Sequence, residues 1–189
     1  MTSENKPGRE TIILDIAAIR RRIRDVPGFP KPGVVFRDIT PLLADAESFR
    51  WVIDRLAERI GKHHADAIVA IEARGFIFGS ALAATLRLPL HLVRKPGKLP
   101  HRTISIQYQL EYGSDALEVH KDAFIPGKRY AIVDDLMATG GTAAAAVALI
   151  ESCRAEVACC AFLIELAFLN GRSRLTRCPV ESLLVYETE

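Results

Sequence analysis

The sequence predicts an α/β fold, a mostly parallel central sheet flanked by helices. Two observations carry that expectation. Short segments that are apolar at almost every position, as strands buried on both faces must be, recur along the chain and alternate with helical patterns. One long polar stretch, residues 95–121, interrupts the rhythm with the period-two alternation of an antiparallel excursion or lid. The length agrees: 189 residues suffice for one domain, and such a chain buries roughly 70% of its unfolded surface without needing a disulfide or a metal.

The elements follow in order. Ile12, Ile13, Ile16, Ile19 and Ile23 recur at helical spacing, and Arg20, Arg21, Arg22 and Arg24 gather where the helix would end, as suits its negative pole. Residues 26–41 hold too many prolines and glycines for a helix or a central strand and read as a loop. A second helix spans 49–60, closed by Gly61. Strands are expected at 67–71, 90–93, 129–133, 157–166 and 182–186, with helices at 76–86 and 142–153. In the polar stretch, Ile104, Ile106 and Tyr108 alternate opposite Leu117 and Val119.

Composition excludes several classes. Twenty-five basic against 23 acidic residues leave a net charge of +2, so no nucleic-acid coat is expected and anion binding must come from local clusters. Cys153, Cys159, Cys160 and Cys178 form no C-x-x-C pair and lie in or beside apolar stretches, as buried thiols of a reducing compartment do. Residues 1–10 lack the apolar core of a signal peptide and read as a frayed terminus. No apolar run approaches the ~20 residues of a spanning helix. The expectation is a cytoplasmic protein that engages neither membrane nor nucleic acid.

The strongest chemical signal is the run from Ala131 to Thr142. An apolar strand ends at two carboxylates, Asp134 and Asp135, and a turn through Ala138, Thr139, Gly140, Gly141 and Thr142 opens a helix. Glycines let backbone N–H groups close around a phosphate, Thr hydroxyls add donors, and the helix N-terminus favours negative charge. Carboxylates beside an anion site serve ribose hydroxyls or a metal ion better than the phosphate itself. Neither G-x-x-x-x-G-K-[ST] nor G-x-G-x-x-G is present.

Other segments carry weaker signals. Glu72, Ala73, Arg74 and Gly75 follow a strand and precede a helix, a second anion-ready turn, although Arg74 taken alone reads as a surface ion pair. Arg94, Lys95 and Lys98 flank Pro96-Gly97, either as a solvated basic face or as an anion site. Glu111 and Tyr112 sit inside the polar excursion, where surface decoration is the ordinary reading. Phe36 reads as a core residue or as a stacking ring, and Arg37-Asp38 as a structural pair.

Taken together, residues 131–142 resemble the 5-phosphoribosyl-1-pyrophosphate (PRPP) signature of the type I phosphoribosyltransferases. Residues 32–41, 72–76, 94–100 and 110–113 are similar to the adenine-using branch of that family, in its order and spacing, over about residues 12–187. The resemblance implies a type I phosphoribosyltransferase-like single domain over residues 11–189, with a small hood at about 11–41 and a flexible lid at about 95–121. It implies transfer of ribose 5-phosphate from PRPP to N9 of adenine, giving AMP and pyrophosphate in purine salvage. Asp134 and Asp135 would then hold the ribose, and Ala138 to Thr142 the 5′-phosphate. Glu72, Ala73, Arg74, Arg94 and Lys98 would take the pyrophosphate, with a cis peptide at Glu72-Ala73.

On the same resemblance, Val35 C=O and Arg37 N–H would read adenine while Phe36 stacks on it. Glu111 would exchange a proton with the purine, and Tyr112 would close with the lid. Mg²⁺ would be the cofactor, held mainly by PRPP and water with no certain protein ligand, and the chain would form a homodimer. A phosphoribosyltransferase for another base and a non-catalytic PRPP-sensing regulator are the alternatives. The Val35 to Arg37 segment argues against the first, and the lack of room for a DNA-binding segment argues against the second.

Overall fold

A computed structural model describes residues 14–109 and 114–188. The expected frayed terminus, together with Glu111 and Tyr112, lies outside these residues. The described chain forms two compact units, one through Ser48 and one from Phe49 onward.

In the first unit, helix α1 (Ile16–Arg20) is a short piece of the expected isoleucine helix; Asp15 caps it by accepting the Ala18 N–H at 2.7 Å. Strands β1 (Arg24–Pro27) and β2 (Val35–Asp38) then form an antiparallel hairpin. The expected loop at 26–41 is therefore corrected. Pro27 ends its strand and Gly28 and Gly33 adopt positive φ between the strands, so the breakers shape the hairpin's turn instead of preventing it. Helix α2 (Thr40–Leu43) is a single turn. Two of the expected helix-end arginines fall past α1 and form ion pairs, Arg22 with Asp45 and Arg24 with Asp38.

Helix α3 (Ala46–Gly61) begins three residues earlier than its apolar period suggested, because Asp45 accepts the Ser48 N–H at 2.8 Å and caps it. The second unit is built on a five-stranded parallel sheet of β3 (Ala67–Ile71), β4 (Leu90–Val93), β7 (Arg129–Met137), β8 (Glu156–Leu166) and β9 (Val180–Tyr186), in the order β4-β3-β7-β8-β9. Helices α4 (Gly75–Leu86) and α5 (Gly141–Ser152) connect β3 to β4 and β7 to β8. Every residue of β3 is buried, which accounts for its uninterrupted apolar run.

Between β4 and β7 the chain leaves this sheet to form a separate antiparallel pair, β5 (Thr103–Gln109) and β6 (Ser114–His120). Ile104 faces Val119 and Ile106 faces Leu117 in register, as the alternation predicted. Leu117 and Val119 are buried, so one face of the ribbon belongs to the core rather than to solvent.

Strand order places the candidate site. From β3 the chain runs through α4 to β4 on one side, and from β7 it runs through α5 to β8 on the other. β3 and β7 are neighbours, so their carboxyl ends flank the point where the winding reverses. Open parallel sheets bind ligands at such a switch point.

Candidate active site

A cavity of about 380 Å³ occupies the switch point. Its β3 side is lined by Glu72, Ala73 and Arg74, and its β7 side by Asp134, Asp135 and the loop Ala138, Thr139, Gly140, Gly141 and Thr142. Two segments that lie 60 residues apart in sequence are thereby brought together, as the two anion-ready turns implied. Lys95 lines the cavity as well.

The glycine-rich loop is short because β7 runs on through Met137. Gly140 then takes φ +76° and caps α5 without a side-chain hydrogen bond. The first N–H groups of a helix have no acceptor within it, and Gly141, Thr142 and Ala143 present that turn at the cavity wall. An anion would meet unspent donors and the positive end of the helix dipole.

Burial governs the acids. Asp135 is 4% exposed and pairs with Arg74, Oδ2 to Nη2 at 2.9 Å. Burial pushes its carboxyl above the usual range even against the lowering effect of Arg74. Asp134 keeps some surface, but that surface opens on the cavity. Burial first, and the neighbouring Asp135 charge second, push its carboxyl well up. Two carboxylates that resist ionising together gain from any partner that brings hydrogen-bond donors or positive charge.

The Glu72–Ala73 peptide is cis, the conformation the resemblance implied. Glu72 does not offer its carboxylate to the cavity alone: it accepts Arg94 Nη2 at 2.9 Å and Nε at 3.2 Å, and the Lys95 N–H at 3.0 Å. The Arg94 hydrogen bonds hold this carboxyl below its ordinary range. Arg94 also donates from Nη1 to the Lys98 carbonyl at 2.9 Å. Neither Arg94 nor the exposed Lys98 is among the residues lining the cavity.

Lys95 is the cluster cation that reaches the cavity. Its ammonium group pairs with Asp115 on β6 and donates to the Tyr108 hydroxyl at 3.3 Å. The Tyr108 hydroxyl lies 3.4 Å from the Thr142 hydroxyl, so the β5–β6 ribbon is hydrogen-bonded to the glycine-rich loop. The sequence reading gave Lys95 no role of its own, since charge within Arg94-Lys95-x-x-Lys98 does not tell which cation faces inward. Phe162 of β8 and Met137 also line the cavity, and the sequence alone marks neither as a site residue.

Val35, Phe36 and Arg37 lie in β2, in the first unit. Arg37 is buried and pairs with Asp25 directly across the hairpin, Nη1 to Oδ1 at 2.5 Å. Asp38 accepts the Thr40 N–H and hydroxyl, both at 2.9 Å. Phe36 meets Phe29 edge to face at 5.2 Å. Gly28 N–H donates to Val34 C=O at 2.8 Å. Antiparallel pairs alternate, so that bond turns the main-chain polar groups of Val35 and Arg37 away from β1, toward the other edge of the hairpin.

Comparison with known proteins agrees with this geometry. The model of the phosphoribosyl transferase domain matches residues 42–176. An adenine phosphoribosyltransferase of Syntrophotalea carbinolica is 56% identical over 89% of this chain and 98% of its own. One from a Synechococcus species is 54% identical over 89% and 99%. The chain belongs to the phosphoribosyl transferase family, on its adenine phosphoribosyltransferase branch. Among solved structures, the adenine phosphoribosyltransferase of Thermoanaerobacter pseudethanolicus superposes with a TM-score of 0.89 at 48% identity, covering 91% of this chain and 100% of that one. The Saccharomyces cerevisiae member, solved with an imino-altritol bisphosphate and adenine, superposes with a TM-score of 0.83 at 40% identity, covering 89% and 98%. Branch membership extends over both units, and the switch-point cavity lies in the second.

Proposed function

We propose that this chain transfers ribose 5-phosphate from PRPP to N9 of adenine, releasing pyrophosphate and forming AMP. The observation that carries the reading is the cavity at the β3/β7 switch point. It joins a cation-bearing turn, a pair of buried acids and a donor-rich loop in one pocket. PRPP has the matching order of groups: a diphosphate, a ribose with two hydroxyls, and a 5′-phosphate.

In this reading the loop from Ala138 to Thr142 anchors the 5′-phosphate, and that remote binding holds C1′ in place for attack. Asp134 and Asp135 accept the ribose hydroxyls. Departure of the diphosphate builds cationic character at C1′, as in glycoside cleavage. Arg74, Lys95 and the backbone of the Glu72-Ala73 turn meet the departing charge. Lys98 and Arg94 remain proposed diphosphate contacts, Lys98 by reaching the active site of a second subunit. Adenine is read by Val35 C=O and Arg37 N–H, with Phe36 stacked against the ring. The hairpin parity supports this reading because it turns both groups away from β1. Guanine and hypoxanthine carry a carbonyl and an N1–H where adenine has an amine and an acceptor, and would mispair both contacts. Glu111 exchanges the proton of the purine ring, with Tyr112 closing beside it.

Mg²⁺ fits the donor set. Asp134 and Asp135 are hard oxygen donors at the cavity, and among the described residues no group of three or more His, Cys, Asp or Glu is placed to hold a metal. Mg²⁺ commonly keeps water and phosphate oxygens in its shell and takes only one or two carboxylates. When bound it supplies neutralising charge to the diphosphate.

We further place the enzyme in the cytoplasm as a homodimer. The four cysteines are free thiols, which supports a reducing compartment. Among the described residues no helix is long and apolar enough to cross a membrane. The deciding assay is formation of the nucleotide from PRPP and Mg²⁺ across adenine, guanine, hypoxanthine, xanthine and orotate. Adenine alone is expected to turn over; turnover of another base instead would reassign the acceptor, and a chain that forms no nucleotide from any of them would leave only a PRPP-sensing role.

A further inference from the structure

The phosphate loop is packed from behind by a segment outside the family motif. After Leu166 the chain turns through two short 3₁₀ turns, Ala167–Leu169 and Gly171–Arg174. A Cβ placed on Gly171 would overlap the Ala138 carbonyl oxygen and come within 3.0 Å of Gly140 N and 3.2 Å of Thr139 C. A Cβ on Gly140 would in turn overlap the Gly171 carbonyl oxygen and lie 3.1 Å from its carbon. The two backbones therefore meet with no room for a side chain on either. Three consecutive residues of the loop rest on this one glycine.

The turn is itself anchored. Arg172 donates to both oxygens of Glu165, from Nε at 2.6 Å and Nη2 at 2.7 Å, and from Nη1 to the Val180 carbonyl at 3.0 Å. Glu165 is 3% exposed and lies in register with Met137, the last residue of β7 before the loop begins. A planar fork on a buried carboxylate fixes orientation as well as distance. The residue beside Gly171 is thus tied to the strand position opposite the loop's first anchor.

We propose that Gly171, held by the Arg172–Glu165 ion pair, is a positioning element for the 5′-phosphate end of the donor. It aims the N–H groups of residues 138–142 and leaves the diphosphate side of the cavity unaffected. The inference rests on the reading of that loop as the 5′-phosphate site. A hydrogen-bonding cradle works only with its donors at about 2.7–3.1 Å from the oxygen they serve, and a misplacement of about 1 Å can cost on the order of 100-fold.

The experiment uses the full-length chain and two separate ligands, ribose 5-phosphate and inorganic pyrophosphate, with calorimetric titration of each. In Gly171→Ala and Arg172→Gln, the ribose 5-phosphate dissociation constant is expected to rise roughly tenfold or more. Pyrophosphate affinity should stay within about twofold, because its contacts lie on the β3 side. In turnover, KM for PRPP should rise while KM for adenine holds. Arg172→Lys keeps the charge but loses the fork, and should fall between wild type and Arg172→Gln; it also serves if Gly171→Ala fails to fold. Equal weakening of both ligands, or unchanged ribose 5-phosphate binding, overturns the proposal while wild-type AMP formation stands. A wild-type chain that binds no ribose 5-phosphate overturns the loop assignment and this inference with it.

Discussion

Replacing Gly75 by alanine tests how the acids are held. Gly75 opens α4, and a Cβ there would lie 2.8 Å from Asp134 Oδ1, 2.9 Å from the Val133 carbonyl oxygen and 3.1 Å from Asp134 Cα. Ordinary carbon–oxygen contacts run at about 3.3–3.6 Å, so helix and strand must part by about half an ångström or the Asp134 carboxylate must swing away. Two of the three obstructing atoms are main chain of the central strand β7, which cannot yield locally. Overpacking of this kind costs about 1–3 kcal/mol, equivalent for a protein of this size to a melting temperature lower by roughly 2–12 °C. If Asp134 yields instead, ribose binding suffers and KM for PRPP rises on the order of tenfold.

Gly79→Ala separates the two effects. Its Cβ would meet the Ala70 methyl on β3, away from the acids, so it should lower the melting temperature without moving KM for PRPP. The assays are thermal unfolding and steady-state kinetics with PRPP varied. A Gly75→Ala protein with wild-type melting and wild-type KM for PRPP would refute the claim that this close approach fixes Asp134.

Three more outcomes are expected. Glu111→Leu should lower kcat by about 100-fold or more while AMP binding changes little; unchanged turnover ends its proton-transfer role. Lys95→Met should weaken pyrophosphate binding roughly tenfold, and equal binding by the variant would show that the cation serves only Asp115. The acids also make stability depend on pH. Burial lifts both carboxyls above their ordinary value of 3.8, so between that value and the raised ones the native state holds more protons than the unfolded chain. The free energy of unfolding must then fall as pH rises through this window. Asp134→Asn should flatten that dependence in denaturant titrations, and an unchanged slope would assign it to other groups.

What could be read from the sequence follows from how completely each element is buried. β3 has the expected bounds because a short strand covered on both faces leaves an apolar run with sharp polar edges; β4, an edge strand with Leu92 exposed, keeps its expected bounds between Pro89 and Arg94. β7 was read as ending at Val133 and continues to Met137. Its pairing with β3 does stop at Val133, while its pairing with β8 runs on to Met137. The extra residues lie along the cavity, so carboxylates are tolerated there and the apolar signal vanishes before the strand does. The β1–β2 hairpin was hidden for a related reason: with only two strands it buries little, and its prolines and glycines dominate the pattern. The acids and the glycine-rich loop were legible because paired carboxylates and a T-G-G-T turn at a strand terminus are rare outside a site of the kind proposed here. Lys95 was not, since any of three neighbouring cations satisfies the same pattern. Gly171 follows Asn170 and looks like any turn until its contact with the loop is seen in three dimensions.

The extension of β7 past β3 also bears on why one cavity suits a donor with two anionic ends. A single strand-to-helix turn offers one cradle of N–H groups, enough for one phosphate. Where winding reverses, two neighbouring strands deliver such turns side by side, here Glu72 to Gly75 and Ala138 to Gly141. Because β7 outruns β3, the second turn is carried farther along the strand direction than the first, while Asp134 and Asp135 stand beside the first, against Gly75 and Arg74. On the proposed reading of the site, the acids then meet the ribose hydroxyls of PRPP and the second turn meets the 5′-phosphate beyond them. Four additional strand residues, paired on one side only, separate the two turns along the strand direction.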